Sequence, residues 1–131
     1  MKNSLKILLV DDIQDFLDLF AMFFEMDGAE TCFARDYNQA LEHLESKEFD
    51  IVITDYRMPR MHGLYLIEMI KAKNPDMPVI LVSAYVDEKF AEIAKETGAD
   101  EVMKKPFEYD ELISNIQKVL KRKERSRGRT K

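Results

Sequence analysis

The chain has 131 residues, of which 46% are hydrophobic, and it carries 20 Lys or Arg against 25 Asp or Glu. This length and composition can build one hydrophobic core, so we expect a single domain that needs no disulfide or structural metal. The single cysteine, Cys32, cannot form an internal disulfide, and its apolar neighbours predict a buried free thiol in a reducing, cytoplasmic setting. No apolar run reaches the ~18 residues that span a bilayer, and acids stand where a signal peptide would be cleaved, so we expect neither a membrane-spanning nor a secreted protein.

Charge is distributed unevenly along the chain. Residues 121–131 hold seven Lys or Arg and one Glu, whereas the residues before them hold 13 bases and 24 acids. A basic segment without apolar residues buries too little surface to offset the entropy of ordering. We therefore predict one domain over residues 1–121, followed by a disordered tail or linker over residues 122–131. Contact of this tail with nucleic acid or membrane is the alternative interpretation.

Five short apolar runs predict strands. In chain order they cover residues 5–10, 30–34, 50–54, 78–82 and 101–103. The first, third and fourth runs are continuous rather than alternating, which is typical of parallel strands covered by helices on both faces. The second and fifth runs are weaker and predict edge strands.

Segments with helical periodicity separate the apolar runs. They cover residues 13–26, 36–47, 64–73, 87–96 and 109–122. Gly28 is suited to end the first helix, and Asp36 with Gln39 three residues later resembles a capping box that begins the second. Five strands in alternation with five helices predict a doubly wound α/β fold, with a parallel sheet and right-handed crossovers.

Polar and charged side chains follow four of the predicted strands: Asp11 and Asp12, Asp55, Ser83, and Lys105. In open sheets of this kind, ligands bind beyond the carboxyl ends of the strands. Carboxylates close together in a partly dry crevice repel one another, so either a pKa rises or a divalent cation neutralises them. An all-oxygen ligand set suits Mg²⁺, and a bound Mg²⁺ would attract a phosphoryl group. We then expect Asp55 to be the nucleophile, while Ser83 hydrogen-bonds one phosphoryl oxygen and Lys105 pairs with another.

Each of these residues also has an ordinary interpretation when it is taken alone. Asp11 or Asp12 before a helix is more often an N-cap than a metal ligand. Ser83 alone is most often a turn or cap residue, and Lys105 alone is usually solvated. The functional interpretation depends on the conjunction, because independent caps and turns need not all fall at the carboxyl ends of strands.

Residues 6–121 resemble the receiver domains of two-component response regulators. The resemblance rests on the acidic pair in LLVDD, on DYRMPRMHG at residues 55–63, on SA at 83–84, on GAD at 98–100 and on KPF at 105–107. Five motifs in this order and spacing are specific to the family. The resemblance implies a CheY-like, flavodoxin-like (βα)5 fold with strand order 2-1-3-4-5. It also implies a cis peptide bond between Lys105 and Pro106, which proline makes accessible.

The resemblance implies that Asp55 accepts a phosphoryl group from a phosphohistidine of a sensor histidine kinase or a phosphotransfer protein. It assigns Mg²⁺ to Asp12, Asp55 and the backbone carbonyl of Arg57, with Asp11 acting through water. Ser83 would move toward the phosphoryl group. Lys105, which follows the fifth predicted strand, would pair with the same phosphoryl group.

The implied protein is a signalling switch rather than an enzyme that acts on a separate substrate. It would catalyse only its own phosphotransfer and autodephosphorylation, and its output surface would change with phosphorylation. We expect a downstream effector protein or an output domain as a further partner, and a phosphorylation-dependent dimer is a further expectation. We expect neither membrane binding nor direct nucleic-acid binding by the receiver domain.

Four positions depart from the family pattern or fall at its variable sites. Val102 stands where relatives usually have Tyr or Phe, whose ring turns inward on activation. His62 replaces a residue that is often acidic. Arg57 and Tyr85 stand two residues after the phosphoacceptor and the hydroxyl residue, where side chains tune the lifetime of the acyl phosphate, and their bulk could shield it from water.

Two other functions remain as alternatives. A phosphatase of the haloacid dehalogenase type also uses an aspartate nucleophile and Mg²⁺, but it needs a second acid two residues after the nucleophile. That position holds Arg57 after Asp55, and Ile13 or Gln14 after the acidic pair. The other alternative is a binding module that keeps the fold and is not phosphorylated.

Overall fold

The structure, a computed structural model, describes residues 5–58 and 61–129, and of residues 126–129 it describes the backbone alone. The strands of this part are β1 (Lys6–Val10), β2 (Glu30–Ala34), β3 (Ile51–Asp55), β4 (Arg57–Met58), β5 (Met61–His62), β6 (Val79–Ser83) and β7 (Glu101–Lys104). One parallel sheet has the order β2-β1-β3-β6-β7. This is the predicted order 2-1-3-4-5, and β2 and β7 lie at the edges as expected.

Helices alternate with the strands of the parallel sheet, which confirms the predicted doubly wound α/β fold. They are α1 (Gln14–Met26), α2 (Tyr37–Ser46), α3 (Gly63–Lys73), α4 (Glu88–Thr97) and α5 (Tyr109–Arg129). None of the helices in the described ranges is long and apolar enough to cross a bilayer. The expected cis peptide bond joins Lys105 to Pro106.

Side chains of the buried strands alternate between the two faces of the sheet, because successive strand residues point in opposite directions. In β1, Ile7 and Leu9 pack with the apolar face of α1 and with α5. Leu8 and Val10 pack in a second layer with α2, α3 and α4. Both faces of the sheet are therefore covered, which explains why the central strands have continuous apolar sequences.

The helix beginnings differ in how they are capped. Asp36 caps α2 by accepting a hydrogen bond from the Gln39 amide, as the capping-box pattern predicted. At α1, Ile13 occupies the N-cap position and makes no side-chain cap bond. The N-cap interpretation of Asp11 and Asp12 is therefore wrong, because the chain makes one more residue of extended backbone before the helix begins.

The short strands β4 and β5 form an antiparallel pair outside the main sheet. These strands were not predicted, because a strand of two residues has no detectable periodicity. The two residues between them, including the proline of the DYRMPRMHG motif, lie outside the described residues. Cys32 is half-buried rather than buried, and the Nζ of Lys47 lies 3.4 Å from its Sγ.

The predicted tail over residues 122–131 begins within α5, which continues to Arg129. Lys, Arg and Glu are good helix formers, and extending an existing helix needs no new nucleus. Contacts with the β7 end of the sheet also hold the extension: Lys123 Nζ lies 3.2 Å from Asp100 Oδ1, and Arg122 Nη2 lies 3.5 Å from Glu101 Oε2. Lys71 binds the same carboxylate at 3.0 Å, and we call Lys71, Asp100 and Lys123 the Asp100 cluster.

Candidate functional site

Three aspartates meet at the carboxyl ends of neighbouring strands β1 and β3. Asp11 and Asp12 follow β1 directly, and Asp55 is the last residue of β3. One carboxylate oxygen from each lies within 4.8 Å of the others, and we call these three residues the acidic crevice. Asp11 and Asp55 are 1% and 7% exposed, and Asp12 is half-buried. The sequence-based prediction that these side chains lie together is thus met by the geometry.

Lys105 brings the compensating positive charge from the segment after β7. Its Nζ lies 2.5 Å from Asp11 Oδ2 and 3.5 Å from Asp55 Oδ1. The other oxygen of Asp11 accepts a hydrogen bond from the Ile13 amide at 2.9 Å. Both oxygens of Asp11 are therefore engaged by the protein, while Asp55 has the longer and weaker contact with the ammonium.

Burial raises the pKa of the Asp55 carboxyl to about 6. The ammonium of Lys105 opposes this rise, and the nearby charge of Asp11 adds to it. A carboxylate in this environment gains from any positive charge placed beside it, since such a charge favours the ionised form.

Ser83 ends β6 and is 6% exposed. Its hydroxyl donates to the backbone carbonyl of Tyr85 at 2.9 Å and accepts from the Tyr85 amide at 3.2 Å. The Tyr85 hydroxyl in turn donates to Asp87, and Asp87 caps α4 through the Phe90 amide. The hydroxyl thus lies at the site and also belongs to the loop that leads into α4.

A cleft of about 630 Å³ opens over these groups and is also lined by Arg57 and Tyr85. Gly63, at the start of α3, lies against the end of β3, and its amide donates to the Tyr56 carbonyl at 2.6 Å. A Cβ atom at this glycine would lie 2.5 Å from the Asp55 carbonyl oxygen. Only glycine allows α3 to begin this close to the strand that carries Asp55.

The predicted site residues are all found at one edge of the sheet: the acidic crevice, Ser83 and Lys105, with Arg57 beside them. Phe16 was not predicted to be among them. Its ring lies beneath the Lys105 ammonium, with 4.3 Å between Nζ and the ring centroid. Phe16 lies in the predicted helical segment 13–26, where an apolar residue is typical of a core position, and no local signal relates it to a lysine 89 residues later in the chain.

The donor set of the acidic crevice fits a hard divalent cation. It offers carboxylate oxygens alone, which Mg²⁺ prefers to nitrogen or sulfur ligands. Burial raises the pKa of Asp55, so a cation bound beside this carboxylate would favour its ionised form. The open cleft leaves room for the water molecules that Mg²⁺ retains.

Comparisons with known proteins agree with this arrangement. Residues 7–117 match the family model described as the response regulator receiver domain. The chain is 33% identical over 118 residues to the transcriptional regulatory protein ZraR of Escherichia coli K12, covering 90% of this chain and 27% of that protein. It is 33% identical over 116 residues to the response regulator SaeR of Staphylococcus aureus USA300, covering 88% of this chain and 50% of that protein.

A solved structure of similar size gives the same result for the fold. The CheY-like receiver domain protein of Methanospirillum hungatei JF-1 superposes with a TM-score of 0.88 at 27% identity, covering 95% of this chain and 99% of that one. The chain thus spans half or less of the two curated relatives and nearly all of an isolated receiver domain. On the family match over residues 7–117, this chain belongs to the receiver domains of two-component response regulators.

Proposed function

We propose that the protein is a phosphorylation switch in which Asp55 accepts a phosphoryl group in a Mg²⁺-dependent reaction. The observation that carries the proposal is the acidic crevice itself, with three carboxylates within 4.8 Å and one ammonium beside them. The three carboxylates repel one another, and a bound cation would relieve this repulsion. The arrangement therefore supports a cation-binding role for the acidic crevice. The general function of receiver domains as phosphorylation-dependent switches supports the same conclusion.

The proposed chemistry is a displacement at phosphorus. A carboxylate oxygen of Asp55 attacks the phosphorus atom of a phosphohistidine, an oxygen–phosphorus bond forms, and the phosphorus–nitrogen bond breaks. The imidazole leaves with the electron pair of that bond, and the product is an aspartyl phosphate. Mg²⁺, held by Asp12, Asp55 and the backbone carbonyl of Arg57, would neutralise the charge that accumulates on the phosphoryl oxygens.

The remaining side chains have positioning roles in this proposal. Lys105 pairs with a phosphoryl oxygen, and its present contact with Asp55 places it within reach. Asp11 acts through water and through Lys105, in keeping with the engagement of both of its oxygens by the protein. Arg57 and Tyr85 line the cleft and would restrict the approach of hydrolytic water to the aspartyl phosphate.

The structural response is proposed to begin at Ser83. When its hydroxyl turns to a phosphoryl oxygen, it leaves the carbonyl of Tyr85, and the loop before α4 loses two hydrogen bonds. The added charge of about −1.5 to −2 thereby biases an equilibrium between two loop states. This loop leads into α4 through Asp87, so the surface around α4 is the proposed output.

The proposed partners follow from this chemistry and from the family. A sensor histidine kinase or a histidine phosphotransfer protein supplies the phosphoryl group. A downstream effector, or an output domain of the kind that the greater length of ZraR and SaeR suggests, receives the signal. We keep residues 1–121 as the proposed receiver unit and residues 122–131 as the segment that leads out of it.

Incubation with a small phosphodonor and Mg²⁺ tests the proposal directly. Intact-mass measurement should show the addition of one phosphoryl group to the unmodified protein and none to Asp55→Asn, because the amide is not a nucleophile. Chelation of Mg²⁺ should abolish the addition. A stable phosphoprotein formed by the folded Asp55→Asn variant would refute the assignment, and failure of the unmodified protein to react would favour the non-phosphorylated binding module.

A further inference from the structure

Phe16 presents its ring to the one ammonium of the site. The 4.3 Å between Lys105 Nζ and the ring centroid is a distance at which the ring attracts a cation through its quadrupole. The same nitrogen contacts Asp11 at 2.5 Å and Asp55 at 3.5 Å. Lys105 therefore has two carboxylates and one aromatic face as its neighbours, and its side chain is 18% exposed.

Aromatic neighbours fix the Phe16 ring in turn. The centroid of Phe20, one helical turn later, lies 4.5 Å away with a tilt of 32°. Phe107 makes an edge contact at 6.1 Å and 85°, and it also contacts Phe20 at 5.5 Å. Tilted and edge-on contacts of this kind are favourable and restrict the orientation of a ring. Because Phe107 follows Lys105 by two residues, the segment that carries the ammonium also supports the ring beneath it.

An aromatic face suits this position better than the other groups that could hold a cation. A further carboxylate would increase the repulsion in a crevice that already contains three. An aliphatic side chain at position 16 would exclude water but would itself contribute no attraction to the ammonium. The ring attracts the cation without adding charge, and it offers no oxygen that competes with phosphoryl oxygens for the N–H groups.

We propose that Phe16 is a positioning residue for phosphoryl transfer, which holds the Lys105 ammonium beside Asp11 and Asp55 before the phosphoryl group arrives. A cation already in place needs no reorganisation as negative charge develops on the phosphoryl oxygens. The inference rests on the proposed function, because it assumes that Lys105 pairs with those oxygens. It adds a role for a residue that was not among the predicted site residues.

Replacement of Phe16 by mono-, di- and trifluorinated phenylalanine tests the role of the ring face. Fluorine keeps the ring nearly the same in shape and weakens the negative charge on its faces step by step. We expect the second-order rate of phosphorylation by phosphoramidate to fall with each fluorine, by roughly threefold to tenfold in total. The Mg²⁺ affinity should stay unchanged, because the ring provides no metal ligand.

The same fluorinated residues at Phe23 provide the matched control. This ring lies on the same helix and contacts Phe20 and Tyr109, with centroids at 5.9 and 5.0 Å. No ammonium lies over it in the part of the chain that the structure describes. Fluorination at Phe23 should leave the rate within about twofold of the unmodified value, by the same reasoning.

A spectroscopic measurement tests the contact without any phosphorylation. Protons above a ring face are shifted upfield, so the ε-methylene protons of Lys105 should move downfield in Phe16→Leu and keep their shift in Phe16→Tyr. Phe16→Tyr should also keep the phosphorylation rate, whereas Phe16→Leu should lose as much as the trifluorinated protein.

The outcomes separate this inference from the proposed function. A fluorine series without effect, in a protein that is phosphorylated on Asp55, would overturn the role of Phe16 and leave the proposed function standing. A Phe16→Tyr variant as slow as Phe16→Leu would likewise count against the ring face. If the unmodified protein takes up no phosphoryl group, the proposed function fails, and an unchanged Lys105 shift in Phe16→Leu would refute the contact as well.

Discussion

Two charged clusters lie at opposite ends of the strands. At the carboxyl ends, the three carboxylates of the acidic crevice share the ammonium of Lys105. At the amino ends, the single carboxylate of the Asp100 cluster lies between the ammonium groups of Lys71 and Lys123. Asp100 also accepts a hydrogen bond at 2.8 Å from the Val79 amide, at the start of β6. Its oxygens are thus satisfied by the protein alone.

The difference between these two clusters separates a structural role from a functional one. In the Asp100 cluster, opposite charges and hydrogen bonds compensate the cost of burial, so nothing further is needed. The acidic crevice holds three carboxylates and one ammonium, and its repulsion is relieved by protonation of Asp55 or by a ligand that brings positive charge. We therefore expect mutations in the Asp100 cluster to change stability and mutations in the acidic crevice to change binding and phosphorylation.

The largest stability effect is expected for Asp100→Ala. The substitution leaves the Lys71 ammonium, whose side chain is 16% exposed, without its carboxylate, and it removes the acceptor of the Val79 amide. We expect the free energy of unfolding in urea to fall by about 3 kcal/mol, because breaking a largely buried pair strands the remaining charge. Phosphorylation of the folded variant should remain normal.

The control for Asp100→Ala is Glu45→Ala. Glu45 pairs with Lys73 at 3.5 Å, but both side chains are about 70% exposed. Its removal should change the free energy of unfolding by less than about 0.5 kcal/mol. If Asp100→Ala abolished phosphorylation in a fully folded protein, the assignment of a purely structural role to the Asp100 cluster would be wrong.

The pH dependence of stability should expose the burial of the Asp55 carboxyl. Because burial raises the pKa of Asp55 to about 6, the native state binds a proton that the unfolded state has already released between pH 4 and 6. The free energy of unfolding of the metal-free protein should therefore fall by about 2 kcal/mol as pH rises through this window, relative to Asp55→Asn.

Urea unfolding of both proteins between about pH 4 and 7.5 in the presence of a chelator measures this difference. The Asp55→Asn substitution removes the titrating group, so carboxyls outside the acidic crevice cancel in the comparison. Equal pH profiles for the two proteins would show that the surroundings of Asp55 do not disfavour its ionised form in the native state. Addition of Mg²⁺ at about pH 7.5 should stabilise the unmodified protein more than the variant.

Asp12→Ala should weaken Mg²⁺ binding about tenfold or more, because it removes a proposed carboxylate ligand. Calorimetric titration gives the affinity directly. The fold should not lose stability without metal, since the substitution also removes one of three like charges. Asp18→Ala, at an exposed acid on α1, is the matched control and should leave the affinity unchanged. An unchanged affinity in Asp12→Ala would contradict the assignment of this ligand.

The smallest effect concerns the route of the signal. Val102 is too short to swing between inside and outside, and it already packs against the buried layer on its face of the sheet. Amide chemical shifts measured with and without beryllofluoride should therefore change more over residues 84–88 than at Val102. A change centred on Val102, with residues 84–88 silent, would show that the loop is not the route.

The sequence predicted those parts of the fold and site that depend on local periodicity and strand order. Asp11, Asp12 and Asp55 each follow an apolar run, and parallel strands necessarily bring such positions to one edge. The helical path of residues 122–129 could not be predicted in this way, because Arg122 and Lys123 are held by Asp100 and Glu101, about 22 residues earlier in the chain. The contact of Phe16 with Lys105 was missed for the same reason, since it exists only after α1 and the end of β7 have packed together.

The hydroxyl of Ser83 carries a single hydrogen, and at present the carbonyl of Tyr85 receives it. In the proposed mechanism the Ser83 hydroxyl donates this hydrogen to a phosphoryl oxygen instead. The phosphoryl oxygen and the Tyr85 carbonyl therefore compete for the same donor. In that mechanism one phosphorylation event releases the Tyr85 carbonyl and also leaves the Tyr85 amide without its acceptor. The released carbonyl must find water or another donor, and this requirement limits how far a single phosphoryl group can displace the loop equilibrium. In the proposed mechanism, the Tyr85 carbonyl is therefore the first group of this loop to lose its hydrogen-bond donor.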